Sequence, residues 1–340
     1  MRRVVLLLAV LALTVASSPT QAQAAGAFAR MGLGARSQTL GGQIADLSGQ
    51  GSPYFNPALA PFQPVEAVEL SAGILAFDRE WQSVQIGAPL KPRAGVAAGV
   101  VHLGVDDIDG RDASGAPTET YSADETAFFI AFGLRVTDRV SAGAGLRLYR
   151  NDLFRTVESP TSLGVSLGLA ARVTDRVSLG LVADDLLASY RWDGTAAGGR
   201  NVEDRFPVRL RTGTAYALGA GGRGGQLTAE VETQFQGAES VRPRGVDVVG
   251  SEAAPRDTTV TYTLASVQGR VGGEVWLVEP LAVRAAVDRI GVGSAQELRP
   301  ALGFAVRQRF NELGVRIDYA ATLEPYAVGV MHMATLRLEL

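Results

Sequence analysis

Apolar residues recur at every second position, segment after segment, from residue 65 to residue 340. In Ser162 to Val173, Leu163, Val165, Leu167, Leu169, Ala171 and Val173 share one face, while Ser162, Gly164, Ser166, Gly168, Ala170 and Arg172 share the other. Phe128, Ile130, Phe132, Leu134 and Val136 oppose Phe129, Ala131, Gly133 and Arg135 in the same way. At the C-terminus, Ala334, Leu336, Leu338 and Leu340 oppose Thr335, Arg337 and Glu339. A period of two sends alternate side chains to opposite faces of a strand and leaves no apolar stripe on a helix. The chain is expected to be all-β.

The spacing predicts about fourteen strands, over 65–76, 81–90, 93–105, 125–136, 140–150, 161–173, 177–186, 206–218, 225–235, 262–277, 281–289, 300–308, 312–321 and 329–340. Short connections (91–92, 137–139, 174–176, 219–224, 278–280, 309–311) alternate with mostly longer ones (106–124, 151–160, 187–205, 236–261, 290–299, 322–328), and 77–80 is the exception. Most strands reach the roughly 9–11 residues of a tilted transmembrane strand, against a mode of about 5–6 in soluble sheets. Tight turns at one end and long loops at the other are the layout of an outer-membrane barrel. One face of the strands is almost free of charge. The other carries Gly, Ser and a row of ions: Arg147, Arg172, Arg209, Arg211, Arg270, Arg284, Arg307, Arg316, Asp184, Glu230, Glu232, Glu274, Asp288 and Asp318. A soluble sandwich could also alternate. Strand length, loop asymmetry, secretion and the charge-free face together favour a transmembrane antiparallel β-barrel of about 14 strands, with residues 65–340 as the barrel and both termini periplasmic. The ionic row reads as a solvated ion-pair lining, with a specific anionic-ligand site as the alternative.

The start of the chain carries an address. Arg2 and Arg3 precede the apolar run Val4 to Val15, and Ala22-Gln23-Ala24 offers a small-x-small cleavage site. Residues 1–24 therefore read as a cleaved signal peptide, too short to span a membrane comfortably, and the expected location is the outer membrane. A net charge of −3 excludes a broadly basic nucleic-acid protein. With no cysteine and only His102 and His332, disulfide frameworks, thiolate metal sites and His-rich zinc sites are excluded. No Walker A, H-E-x-x-H or G-x-S-x-G motif occurs, and Gly32-Leu33-Gly34 lacks the third glycine and preceding strand of a dinucleotide site. His332 shares parity with Ala334 and Leu336, so it should face lipid near the extracellular rim, a poor place for a catalytic base. No enzyme, cofactor, metal or nucleic-acid partner is expected.

Residues 25–64 do not alternate. They read Ala27-Phe28-Ala29-Arg30-Met31-Gly32-Leu33-Gly34-Ala35-Arg36, then Leu40-Gly41-Gly42, then Tyr54-Phe55-Asn56-Pro57-Ala58-Leu59-Ala60. Asn56 suits a helix N-cap and Pro57 the first helical position, with a simple turn as the alternative. Gly-x-Gly-Ala-Arg, Leu-Gly-Gly and Asn-Pro-Ala, with the alternating C-terminus His332 to Leu340, resemble the PorV/PorQ family of outer-membrane proteins, related in fold to FadL-type transporters. The resemblance implies a fourteen-stranded barrel holding residues 25–64 as a plug or hatch, with Gly34, Arg36, Gly41, Gly42, Asn56 and Pro57 as the plug motif. It also implies a part in protein secretion through contacts with secretion machinery or cargo. The alternative is a FadL-like transporter of a hydrophobic small molecule, and an open diffusion porin is third. Outer-membrane lipid is the expected surrounding.

Strand three breaks the pattern. Ala94, Val96, Ala98 and Val100 share a face, then the apolar residues switch to Val101, Leu103 and Val105. One extra residue produces such a switch, which predicts a β-bulge at Gly99, Val100 and Val101, with His102 turned into the lumen. A strand that merely ends near the rim is the plainer reading, and a lateral opening beside the bulge is the functional alternative.

Overall fold

The computed structural model describes residues 25–153, 158–192, 202–219, 224–243, 256–291, 298–324 and 329–340. The signal-peptide expectation for 1–24 lies outside the described residues. Fourteen strands form a closed antiparallel barrel: β1 (Ala67–Ile74), β2 (Arg79–Leu90), β3 (Ala94–Arg111), β4 (Pro117–Arg135), β5 (Val140–Asp152), β6 (Thr161–Arg172), β7 (Val177–Leu186), β10 (Val208–Leu218), β11 (Gly225–Pro243), β12 (Arg256–Val278), β13 (Leu281–Gly291), β14 (Arg299–Phe310), β15 (Leu313–Leu323) and β16 (Val330–Glu339). Neighbours in sequence are neighbours in the wall, and β1 closes on β16 with Ala67 opposite Glu339. Two short strands, β8 (Ser189–Trp192) and β9 (Val202–Arg205), make a separate hairpin between β7 and β10.

The number of barrel strands and the alternation agree with the sequence expectation; three of the expected loops do not, and 187–205 holds the β8–β9 hairpin. Much of 106–124 is strand, because β3 and β4 stay paired to Arg111 and Pro117. Much of 236–261 is also strand, because β11 and β12 stay paired to Pro243 and Arg256. A ladder needs only a partner and β-favouring residues, and Thr258-Thr259-Val260-Thr261-Tyr262-Thr263 supplies them.

The faces are as expected. Leu163, Leu167 and Leu169 are half exposed on the outside, while Ser166 is 2% exposed on the inside. His332 faces outward, where Tyr319 Oη lies 2.6 Å from its Nδ1. In β2 to β5 the outer apolar rows end at Gln82, His102, Thr126 and Arg150, which sets the edge of the apolar band at the end away from the tight turns.

The expected bulge at Gly99, Val100 and Val101 is absent. β3 pairs without a shift from Ala94 to Val105 with both β2 and β4, and the first irregularity falls between Val105 and Ile108. His102 stays on the outer parity, opposite Gln82 and Thr126, with Nδ1 3.1 Å from Thr126 Oγ1. No opening breaks the wall there. The change of parity has another cause: Val101 and Leu103 point inward and pack in an apolar cluster with Trp81, Ala127 and Phe129. The strand is apolar on both faces.

A two-residue irregularity does occur in β7. Val165 pairs with Leu186 and Leu167 with Ala183, so Asp184 and Asp185 oppose the single residue Ser166. Asp185 takes φ 59°, and both carboxylates turn into the interior, at 0% and 2% exposure. A bulge re-aims side chains in this way.

Candidate functional site: the barrel interior

Residues 25–64 contact the inner face of the wall in every sector. Ser83 Oγ of β2 donates to Leu33 O (3.0 Å), Ser141 Oγ of β5 to Ala58 O (2.8 Å), and Ser178 Oγ of β7 to Ala45 O (2.6 Å). Thr228 Oγ1 of β11 donates to Leu40 O, and Thr335 Oγ1 of β16 accepts from Ala35 N (2.9 Å). Only a segment lying inside the barrel can touch inward residues on strands so far apart in the wall. The wall makes room with glycine: a Cβ on Gly180 would sit 2.2 Å from Ile44 O. Gly41 requires glycine twice over, with φ +81° and a Cβ position 2.3 Å from the Val271 carbonyl carbon.

The six motif residues occupy separate stations along this segment. Gly34 precedes the short helix α1 (Ala35–Thr39), where a Cβ would meet Glu69, Ser71 and Thr335 side chains at 3.0 Å. Arg36 is an ionic hub. Gly41 and Gly42 lie against β12 and β11. Asn56 caps a 3-10 turn, Pro57–Phe62, its side chain accepting from Ala58 N at 3.0 Å. The same amide donates to Ile44 O (2.7 Å) and to Leu169 O of β6 (3.1 Å), so the cap also ties the segment to the wall.

Two ionic networks hold the segment. In the first, Asp184 takes Arg147 Nη1 (3.2 Å) and Arg211 Nε (2.8 Å), and Asp185 takes Arg209 Nε (2.9 Å) and the Tyr149 hydroxyl (2.5 Å). Arg147 and Arg211 also donate to the carbonyls of Tyr54 and Phe55. Arg211 reaches Glu230 at 3.4 Å, and Glu230 accepts from Gln43 N at 3.1 Å. In the second, Arg36 joins Asp46 (2.8 Å) and Glu274 (3.3 Å), and Glu274 joins Arg284 (2.5 Å). Arg284 and Arg316 share Asp318 at 2.6 and 2.8 Å, and Arg316 Nη1 donates to Gln50 Oε1 at 2.7 Å. The sequence pointed these ions inward but expected them solvated. Most are buried because residues 25–64 take the place of water. Arg172 is the exception, exposed at the periplasmic rim, and Arg307 stacks on Trp276, 4.0 Å from the ring centre.

Much of the rest of the interior is apolar. Phe28, Leu33 and Tyr54 of the segment join Leu75, Trp81, Val101, Phe129, Met331 and Met333 of the wall in one buried cluster. Tyr190 of the β8–β9 hairpin and Phe206 extend it, with rings 4.9 Å apart and Phe206 4.7 Å from Tyr149. The interior is thus divided: most of the charge lies on β5, β7 and β10 to β15, and most of the apolar surface on β1 to β4 and β16, where Arg337 pairs with Glu69 at 3.3 Å. Sequence reasoning missed this sector because inward apolar residues look like a slip in register. At the end of the barrel that carries the tight turns a recess of about 480 Å³ opens between Leu47 to Gln50, the β6–β7 turn and Trp276.

Burial alone would raise the pKa of the Asp46 carboxyl, but the Arg36 guanidinium and the donors of Ser48 outweigh it and hold the group below the usual carboxylate range. A lowered folded-state value stabilises the native arrangement above the ordinary carboxylate pKa and loses that effect as pH falls through the lowered value. The tie at Arg36 should therefore loosen below about pH 4. The protection of residues 36–50 against hydrogen exchange, taken relative to the intrinsic rate at each pH, should fall on acidification, and Asp46→Asn should show the reduced protection already at pH 7. Protection that does not change with pH and is equal in the two proteins would contradict the assignment.

No protein-family model and no curated protein matches the sequence. Solved structures do. The toluene transporter TodX of Pseudomonas putida is 13% identical, with 90% of this chain and 96% of that chain covered at a TM-score of 0.58. The toluene transporter TbuX of Ralstonia pickettii is 13% identical, with 90% and 97% covered at 0.57. A FadL homologue of Pseudomonas aeruginosa is 12% identical, with 90% and 97% covered at 0.56. The PorV/PorQ resemblance gains no support from these comparisons. At such identities the likeness speaks for architecture, and that architecture is a FadL-like β-barrel.

Proposed function

We propose that this protein carries a hydrophobic small molecule across the outer membrane, with residues 25–64 as the plug that the molecule must pass. The apolar sector of the interior carries this reading. A diffusion porin has no use for Trp81, Val101, Phe129, Met331 and Met333 on its inner face, whereas an apolar solute gains from every such surface it touches. The ionic networks suit the complementary task of keeping water and ions out of the path. The FadL-like fold supports the same reading. Secretion through partner contacts, the first expectation from sequence, has no such support. No chemical step and no cofactor enter the proposal.

The test is uptake of radiolabelled toluene and of oleate by cells expressing the full chain, against cells with an empty vector. Faster uptake of either solute is expected, together with recovery in the outer-membrane fraction and a gel mobility that changes on heating. Val101→Asp, which places a charge in the apolar sector, should reduce uptake at least tenfold in protein that still shows heat-dependent mobility. Uptake equal to the empty vector would overturn the proposal.

A further inference from the structure

The periplasmic rim is electrically lopsided. Three consecutive turns, β2–β3, β4–β5 and β6–β7, carry Lys91, Arg93, Arg135, Arg139, Arg172 and Arg176 against two carboxylates, Asp138 and Asp175. Among the described residues the opposite arc carries Glu66, Glu279, Glu312 and Glu339, with Arg307, Arg309 and Arg337 as its cations, Arg337 pairing with Glu339 at 3.0 Å. Arg307 is already engaged with Trp276 and the Glu279 carbonyl.

The basic arc is built the same way in each turn. The carbonyls of Arg93, Arg139 and Arg176 accept from Arg135 N (2.8 Å), Arg172 N (2.7 Å) and Ala217 N (2.8 Å), so the three arginines hold equivalent places. Thr137 Oγ1 accepts from Arg139 N at 3.2 Å and Val140 N at 3.0 Å, and Thr174 Oγ1 accepts from Arg176 N and Val177 N at the same two distances. The Thr-Asp-Arg repeat seen in the sequence is therefore one turn geometry used twice to present one arginine. Two strand spacings separate successive turns, which places these guanidiniums roughly 10 Å apart along the rim. All three are exposed. Among the described residues only Arg93 of the three has a carboxylate partner, Asp138 at 3.2 Å, and that pair is itself exposed and weak.

What lies beside them is apolar. Leu90, Leu134, Val136, Val140 and Val173 are exposed on the outer wall at the same end. In a barrel that spans the outer membrane these residues mark the end of the hydrocarbon, so the arginines stand at headgroup depth. Arginine's planar fork matches phosphate better than an ammonium does, and the chain uses arginine for all of its cations except Lys91.

We propose that the arc from Lys91 to Arg176 is a binding surface for anionic phospholipid headgroups of the periplasmic leaflet, and that it orients one side of the barrel toward such lipids. The proposal rests on the outer-membrane location but not on what the barrel transports. Each basic side chain held near an anionic surface contributes roughly a fivefold preference.

Native mass spectrometry of the detergent-solubilised full chain tests it, with phosphatidylglycerol and phosphatidylcholine of identical acyl chains. Wild-type protein should retain phosphatidylglycerol in preference to phosphatidylcholine. The combined variant Arg93→Gln, Arg139→Gln, Arg176→Gln should lower the phosphatidylglycerol affinity by ten- to a hundredfold and leave phosphatidylcholine unchanged. Glu279→Gln with Glu312→Gln, on the other arc, should change neither. Heat-dependent gel mobility, measured for each variant, separates a lost lipid site from a lost barrel. Equal binding of the two lipids, or a triple variant that keeps its preference, would overturn the proposal. So would a wild type that ignores phosphatidylglycerol but binds polyglutamate, which would make the arc a dock for an acidic protein.

Discussion

Asp184→Ala is expected to cost about 3–5 kcal/mol of stability, the range for removing one partner of a buried ion pair. Asp184 is fully buried and stands within 4 Å of Arg147, Arg209 and Arg211. Its loss leaves three buried guanidiniums facing Asp185 and Glu230 or Glu232. Arg147 and Arg211 grip the carbonyls of Tyr54 and Phe55, and Arg147 also lies 4.4 Å over the Tyr54 ring. The substitution should therefore loosen residues 54–57 along with the wall. Two measurements follow from this. The denaturant midpoint of the refolded barrel should drop, and single-channel conductance in a planar bilayer should rise as the interior admits ions. Asp138→Ala removes an exposed pair and should cost less than about 1 kcal/mol with no change in conductance. An Asp184→Ala protein with wild-type midpoint and wild-type conductance would show that the network is not what holds the segment.

How much of this was legible beforehand follows from what each face of the wall meets. The outer face meets lipid, which accepts any apolar side chain, so Leu163 to Val173 and Phe128 to Val136 read correctly from alternation. The inner face meets residues 25–64, and a strand's sequence does not say what fills the space beside it. Arg147, Glu230 and Asp318 were placed inward by parity, but whether water or protein surrounds them is a property of the assembled interior. Val101 and Leu103 misled for the same reason: an inward apolar residue has the same appearance as an outward one shifted by a position. The bulge in β7 did leave a mark. Val182-Ala183-Asp184-Asp185-Leu186 sets two carboxylates side by side, where strict alternation would send one of them into lipid. Only a break in register lets both point inward. Asn56-Pro57 was readable because capping is local chemistry. The PorV/PorQ resemblance rested on short motifs whose places in the structure are structural: a glycine against a wall, an arginine between carboxylates, a cap. Such motifs describe how a segment packs and leave open what the barrel passes.

Leu167→Arg and Ser166→Arg should fail in different ways. Leu167 is the middle member of the outer row Leu163 to Ala171, half exposed between Ala144 and Ala183 of the neighbouring strands. An arginine there faces the centre of the bilayer, where it costs about 2–4 kcal/mol. Small neighbours offer no carboxylate to pair with it. Folding into liposomes should be impaired, and the heat-sensitive gel form should fall in yield. Ser166 is its neighbour in sequence and lies on the other side of the wall, 2% exposed. From sequence the inner face was expected to be wet, and an arginine at 166 would then have been mild. The interior is instead packed: Ser166 pairs with Gly145, and a Cβ on Gly145 would lie 3.3 Å from the Pro57 ring. An arginine cannot enter without displacing the turn at Asn56 and Pro57. That displacement is local, because the outer rows and the ladder are untouched. Ser166→Arg should therefore still give the heat-sensitive barrel form while raising conductance. If both variants lose the barrel form equally, the wall depends on its filling more than the ladder geometry implies. If neither loses it, the assignment of faces is wrong.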